Sequence, residues 1–405
     1  MKTLLTLGLI GLSSLLYAQN LTVSTITEEF DASGGVKFGP DGHLYIGNFG
    51  ASLSQGSGSQ VWRLNLETLE LEVFATGLVG ASGNAFDSQG NFFQSNIGGG
   101  YISKITPEGQ VSTFVSEGIS APVGIVVDDQ DNLYVCNCGG PFANTIRKVT
   151  PEGVSTQFAG GSIFRCPNGI TIDTAGNLYV SNFNNGNVIR ITPEGQTGVF
   201  AVIPGGNNGH LTYFEPFNAL FVNSHGSSSV YTVNLEDRVV SRIAGTGQRG
   251  NADGPAGQAT FSRPNGVALS NTGDTLYLNS SIPTVDDPGN NHYPLNPSVI
   301  RMITGIRGLF TGIGHVRKRK GWQARLFPNP SKGIFRLGLE LERKDELQAS
   351  VFDSAGKELS AEAWGTIPAG PLQKTLNVGE LPAGWYFLVV SGREQAQVLP
   401  FQLVK

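Results

Sequence analysis

The chain has 405 residues, of which 39% are hydrophobic and only 15% charged, and its formal net charge is -5. This profile excludes a coiled coil, which needs abundant Lys, Glu and Leu. It excludes wholesale disorder, which needs low hydrophobicity and high net charge, and it offers no general nucleic-acid footprint. Glycine, at 55 residues, is about twice its usual ~7% share, and with 23 Phe it points to many short strands joined by tight turns.

Residues 1–18 read as a secretory signal peptide. Lys2 supplies the positive start, Leu4 to Leu16 the apolar stretch, and Ala18 the small residue before a cut that begins the mature chain at Gln19. The stretch is too short for a membrane span, and no later one approaches ~18 apolar residues, so no transmembrane segment is expected. No Cys follows the cut, which speaks against a lipid anchor.

Next comes a solitary strand pattern, LTVSTIT at residues 21–27, and then a repeat. The segment Gly169 to Asn182 (GITIDTAGNLYVSN) has counterparts beginning at Gly35, Gly83 and Gly124, with degenerate copies ending at Ser224 and Ser280. Counted from Asn48, Asn96, Asn137, Asn182, Ser224 and Ser280, the spacings are 48, 41, 45, 42 and 56 residues. Six copies at this period define an all-β, six-bladed β-propeller over residues 19–304, with four strands, A to D, in each blade. Val/Ile-rich alternation marks the strands. The T-P-E-G runs at Thr106, Thr150 and Thr192 suit type I turns between strands C and D. The sixth unit has no fourth strand of its own, so the solitary strand is expected to complete it and close the ring. The markers Asn48, Asn96, Asn137 and Asn182 are expected to anchor the B–C turns through side-chain to backbone bonds.

In the fifth unit, Ile243 to Leu269 reads IAGTGQRGNADGPAGQATFSRPNGVAL. This resembles the connector of NHL-repeat propellers. With Arg165 to Val180 (RCPNGITIDTAGNLYV), it resembles the broader senescence-marker/gluconolactonase class. The G-x-G-x-x-G at Gly245, Gly247 and Gly250 is no dinucleotide site, because Asp253, Gly254, Pro255 and Gly257 break the helix such a site requires.

Residues 305–321 form a linker with four consecutive basic residues, Arg317 to Lys320. Residues 322–405 alternate in short runs separated by Gly and Pro, the pattern of a small Ig-like β-sandwich. Three motifs stand there in order: P-N-P-x-x-G (Pro328, Asn329, Pro330, Gly333), D-x-x-G-K (Asp353, Gly356) and L-P-A-G-x-Y (Gly384, Tyr386). They resemble the C-terminal sorting domain of type IX secretion cargo in Bacteroidetes. That resemblance implies the type IX machinery as a partner and a secreted or outer-membrane-surface location.

Chemistry is harder to read. No G-x-S-x-G or H-E-x-x-H occurs, and His43, His210, His225, His292 and His315 show no metal spacing. The gluconolactonase resemblance implies one divalent cation, such as calcium, at the channel mouth, held by a Glu and by Asn or Asp where the A strands begin. Asn168 and Asn265 match that position, and Asn208 is assigned to it in unit five. The other units offer Gly34, Ser82 and Val123, so the carboxylates are missing and three neutral Asn would bind calcium poorly. Asp31 could supply one if its loop folds inward. The Asp128, Asp129 and Asp131 cluster is a turn or a loop cation site.

In a propeller, B–C loops and blade-to-blade loops share one face. That places Cys138 beside Cys166 as a disulfide, leaving Cys136 free and buried. The loops 50–59, 98–100, 139–143 and 281–297, the last with Asp286, Asp287, His292 and Tyr293, crowd the same face. The expected role is non-catalytic recognition of a protein or glycan ligand through this face. The alternative is a divalent-metal-dependent lactonase or hydrolase. A streptogramin-lyase-like reading lacks the paired His and Glu it would need.

Overall fold

The computed structural model describes residues 21–54, 56–270, 272–283, 294–311, 324–327, 331–341, 343–353, 358–392 and 396–404. The proposed signal peptide, most of the basic linker, and Pro328, Asn329, Pro330 and Gly356 lie outside them. So do Asp286, Asp287, His292, Tyr293 and His315. The chain divides into two compact units, residues 1–306 and 307–405.

The first unit is a six-bladed propeller. Blades one to five are four-stranded antiparallel sheets in simple chain order, spanning 36–76, 81–115, 122–160, 167–202 and 208–244. Blade four runs Pro167–Ile172, Leu178–Asn182, Asn187–Ile191 and Thr197–Val202 as strands A to D. The T-P-E-G turns close strands C to D, with Gly109, Gly153 and Gly195 each donating to the Thr carbonyl three residues back at 2.8 Å.

Blade six takes strands from both ends of the unit. Val267–Leu269, Thr275–Ser281 and Ser298–Thr304 are its A, B and C strands. Thr22–Thr25 pairs with the last of these, Thr22 opposite Thr304 and Thr25 opposite Arg301, and the two-residue strand Gly254–Pro255 covers its far edge.

The repeated glycine has a packing reason. The six inner strands meet around the axis closely enough that a side chain would strike the neighbouring backbone. A Cβ on Gly35 would lie 2.9 Å from the Ser82 carbonyl oxygen, one on Gly169 2.6 Å from the His210 Cα, and one on Gly266 2.6 Å from the Gly34 carbonyl oxygen.

Between sheets the repeat places an aromatic on strand B against one on strand D. Tyr45–Phe74, Phe93–Phe114, Tyr134–Phe158 and Tyr179–Phe200 meet edge to face at 4.8, 4.9, 5.0 and 5.1 Å. Such pairs contribute roughly 0.5–1.5 kcal/mol each beyond their buried area.

The second unit is a β-sandwich. Ala324–Phe327, Ile334–Leu341 and Gly370–Asn377 form one sheet; Glu358–Ile367, Asp345–Asp353, Gly384–Ser391 and Ala396–Leu403 form the other. Ile334–Leu341 alternates outward and inward, with Phe335, Leu337, Leu339 and Leu341 in a core that also holds Leu388, Val390 and Phe401. Tyr386 stacks on Phe401 and donates its hydroxyl to the Pro382 carbonyl at 2.9 Å. Gly333, at a φ of +118°, faces the Gly379 Cα too closely to carry a side chain.

Candidate functional site

The site is built where the chain passes from one blade to the next. In blades two to four the last residue before the inner strand has a left-handed φ: Gly80 (+71°), Ala121 (+41°) and Cys166 (+54°). Arg263 of blade six, before Pro264, repeats it at +53°. The markers at the end of strand B hold these connections. The Asn96 side-chain oxygen accepts from the Val79 amide at 2.9 Å, Asn137 donates to the Gly118 carbonyl at 3.0 Å, and Asn182 donates to the Ile163 carbonyl at 2.9 Å. For these three the expectation that they anchor the B–C turns is therefore corrected: they pin the chain entering their own blade, whereas Asn48 accepts from the Asn296 side-chain amide at 3.0 Å.

The P-N-G asparagines also stitch blades together. Asn168 donates to the Asn208 carbonyl and Asn265 to the Ser33 carbonyl, both at 2.8 Å. Asn208 itself is not their equivalent. Pro167 pairs with the marker Asn182, and Asn208 pairs with the marker Ser224, so Asn208 stands in the proline slot. Gly209 takes the asparagine slot, and His210 takes the slot that is glycine in the neighbouring blades. Asn208 donates to the Asn187 carbonyl at 3.4 Å, and its side-chain oxygen is buried without a partner. His210 is 9% exposed with Nε2 unpartnered, and burial lowers its pKa to about 4, so it is neutral at pH 7.

The connections frame a cavity of about 230 Å³ at the channel mouth. Phe49, Leu53, Ile97 and Leu295 form an apolar cluster on one side, and Leu295 is tied by its amide to the Ala51 carbonyl at 2.8 Å. Phe183, packed at 5.5 Å against the ring of His225, lines another part. Ser82, Val123 and Asn168 contribute from three inner strands and Asn265 from just before the sixth, and Arg263, 3% exposed, lines the wall.

Cys138 and Cys166 are disulfide-bonded with Cα atoms 4.0 Å apart, and the bridge lines the same cavity. Cys136 is free and fully buried, its thiol pushed well above the ordinary range by desolvation.

A calcium-type ion wants roughly six to eight oxygens with carboxylates among them. The described residues do not fit one. Among them no Asp or Glu lines the cavity, and only two of the three proposed asparagines reach it. A cationic side chain, Arg263, stands in the wall. Asp31 is exposed and absent from the lining; its carbonyl accepts the Trp62 indole N–H at 2.8 Å.

The Asp128 cluster and His43 lie in A–B turns at the opposite end of the blades. Asp128 accepts from the Asn132 amide at 2.8 Å. Asp131 clamps Ser88 of the neighbouring blade by its amide at 2.8 Å and its hydroxyl at 2.6 Å, and these bonds hold its carboxyl below the usual range. His43 reaches Asp41 at 3.2 Å. Among the described residues no group of three or more His, Cys, Asp or Glu is placed to hold a metal ion.

Sequence reasoning missed Arg263, Phe49, Leu295 and Phe183 as cavity residues. The available signal was the residue before P-N-G, where Arg263 stands as Cys166 does.

Fold and mouth together define the class: a six-bladed propeller carrying a second domain for export. Residues 325–401 match the family described as the secretion system C-terminal sorting domain. This chain is therefore type IX cargo, sent to the cell surface or the extracellular space, with the type IX machinery as partner of its C-terminal unit. Among the described residues no helix is long and apolar enough to cross a membrane.

The propeller is similar to Lactonase drp35 of Staphylococcus aureus strain MRSA252, 26% identical over 232 residues, covering 49% of this chain and 68% of that protein. With the strain USA300 protein of the same name it shares 27% identity over 175 residues, spanning about half (53%) of that protein. In fold it resembles a gluconolactonase from Xanthomonas campestris (TM-score 0.53, 15% identity, 72% of this chain and 92% of that one). It equally resembles an auxiliary nutrient binding protein from Bacteroides ovatus (TM-score 0.53, 15% identity, 71% and 77%). At such identities the likeness shows the fold alone, and one fold hosts many activities.

Proposed function

We propose that this chain is an exported recognition propeller that binds a protein or glycan ligand at the mouth cavity without chemical turnover. The observation that carries the reading is the cavity wall. It combines aromatic and aliphatic side chains with amides, hydroxyls and one buried arginine, and among the described residues its lining includes no carboxylate to hold a metal or act as a base. Apolar surface with a few placed polar groups is the composition of a binding pocket. Loops on a rigid ring are the usual carriers of recognition.

The names of the relatives favour a second reading, a metal-dependent lactonase. One assay separates the two. The purified chain is given aldonolactones and aromatic lactones with added calcium, magnesium or zinc, alongside a glycan and protein binding screen. The recognition reading expects saturable binding and no hydrolysis above buffer. Metal-dependent hydrolysis that disappears in Asn168→Ala would replace it with the lactonase reading.

A further inference from the structure

The wall of the mouth cavity is of two kinds. Phe49, Leu53, Ile97 and Leu295 pack into an apolar cluster on one side, and Phe183 lines another part. Set into this wall are Asn168 and Asn265. Each donates its amide nitrogen to the next blade, Asn168 to the Asn208 carbonyl and Asn265 to the Ser33 carbonyl, both at 2.8 Å. Among the described residues neither side-chain oxygen has a donor. An asparagine held in this way offers its oxygen, an acceptor, to whatever fills the cavity. The group recognised there must therefore bring an N–H or an O–H.

Size and wall chemistry narrow that group. The volume of about 230 Å³ is smaller than the ~300–1,000 Å³ of sites for drug-sized ligands and takes one ring-sized body. A pyranose would carry hydroxyls all round its edge, and those set against the apolar cluster would lose water without gaining a partner. A tyrosine or tryptophan side chain has the opposite make-up. It is an apolar ring with a single donor at its edge, and that donor needs a partner when buried.

The rim points to a protein as the bearer of that side chain. Val79 and Phe142 are 37% and 40% exposed. The Val79 carbonyl accepts from the Gly98 amide at 3.1 Å, beside Ile97 of the cavity wall. Phe142 lies four residues beyond Cys138, whose disulfide to Cys166 lines the cavity. Contacts that exclude water around a buried aromatic anchor are the usual surroundings of a binding hot spot. The disulfide fixes one edge of the socket before the partner arrives, which lowers the ordering cost of binding.

We infer that the mouth cavity is a socket for one tyrosine or tryptophan side chain of a protein partner, with the Asn168 or Asn265 oxygen accepting from its O–H or N–H. This inference rests on the recognition reading and specifies its ligand.

The test uses the full chain and two matched pairs of capped amino acids. N-acetyltyrosinamide is set beside N-acetylphenylalaninamide. N-acetyltryptophanamide is set beside its benzothienyl analogue, in which sulfur replaces the indole N–H. Methyl glucoside and methyl galactoside represent sugars. Binding is followed by ligand-observed NMR and calorimetry. At least one donor-bearing amide is expected to saturate a single site and to bind about tenfold tighter than its donor-less partner, the size of effect expected for one buried hydrogen bond. Which pair shows it separates tyrosine from tryptophan.

At least one of N168A and N265A is expected to bring the two members of that pair within about twofold of each other, with melting temperatures reporting that the variants are folded. If neither folds, the pairs measured on the native chain decide alone. Equal binding within both pairs, a donor advantage kept in both folded variants, or no saturable binding by any of the four amides overturns the inference. Saturation by a methyl pyranoside alone overturns it in favour of a sugar. Those results leave the recognition reading standing, because that reading falls only to metal-dependent lactone turnover.

Discussion

Blade four and blade six are built from one repeat and are held shut in different ways. Blade four is local: its strands follow one another between residues 167 and 202, and the Tyr179–Phe200 pair seals strand B to strand D. At the third strand, Ile189 faces Val180 and is fully buried. Blade six borrows its fourth strand from the far end of the unit, and at the matching position Arg301, also fully buried, faces Leu278.

That arginine donates to the Thr260 and Ala252 carbonyls at 3.0 Å and to Asp253 at 2.7 Å, and it lies 5.1 Å from the Phe261 ring centre. Asp253 in turn accepts from the amide and hydroxyl of Thr25 at 2.9 and 3.0 Å. A hairpin finds its partner by proximity. A strand that returns over the whole unit is selected by a charge and its directed bonds, and this gives the D-G-P-A run of the connector its physical meaning.

The comparison can be broken at several points. Removing residues 21–27 should have the largest effect, leaving blade six without its outer strand. The expected outcome is loss of the cooperative unfolding transition of the propeller in urea. Next, Phe200→Ala should cost about 3–4 kcal/mol, the usual range for a buried Phe, while leaving the N-terminal strand protected from proteases.

Arg301→Ile, which gives blade six the residue of blade four, should cost roughly 2–3 kcal/mol. That is below the ~3–5 of a fully buried pair, because the abandoned Asp253 side chain is 46% exposed. Unlike Phe200→Ala, it should release residues 21–27 to limited proteolysis. Equal N-terminal protection in both variants would refute the contrast.

The smallest effect lies in pH. The folded pKa of His210 is lowered to about 4, below its ordinary value of 6.5, so between these values the unfolded chain binds the extra proton. Stability should be unaffected above that window. Within it, stability should fall by up to roughly 1.4 kcal/mol per pH unit as pH drops. His210→Gln should flatten that slope in urea titrations at pH 7, 6 and 5.

Much of this was legible because the repeat is a physical constraint visible in one dimension. The glycine of each unit answers to a neighbouring backbone, the T-P-E-G runs to a turn, and the Tyr and Phe positions to a shared core. The disulfide followed from knowing which loops share a face.

Asn208 was misplaced by one residue. Its N-G resembles the N-G of Asn168 and Asn265, but the bulge in the inner strand sets the register from strand B, and only the pairing with Ser224 reveals the slip. The markers Asn96, Asn137 and Asn182 were assigned to the wrong loop for a similar reason: nearness along the chain hides a partner 17 to 19 residues away. The cavity was only partly legible: Ser82, Val123, Asn168 and Asn265 follow the repeat, but Phe49, Leu53, Phe183 and Leu295 come from loops that share no spacing.

The closing strand also sets an order of events. Thr22 and Thr304 lie 282 residues apart, and the chain emerges N-terminus first. The earliest strand to appear must therefore wait for the last blade, and every partly emerged chain carries an open ring. Completion is thus a checkpoint on length. A chain truncated anywhere before residue 304 lacks part of the strand that receives Thr22–Thr25, and it presents unpaired sheet edges where the full chain presents a closed ring.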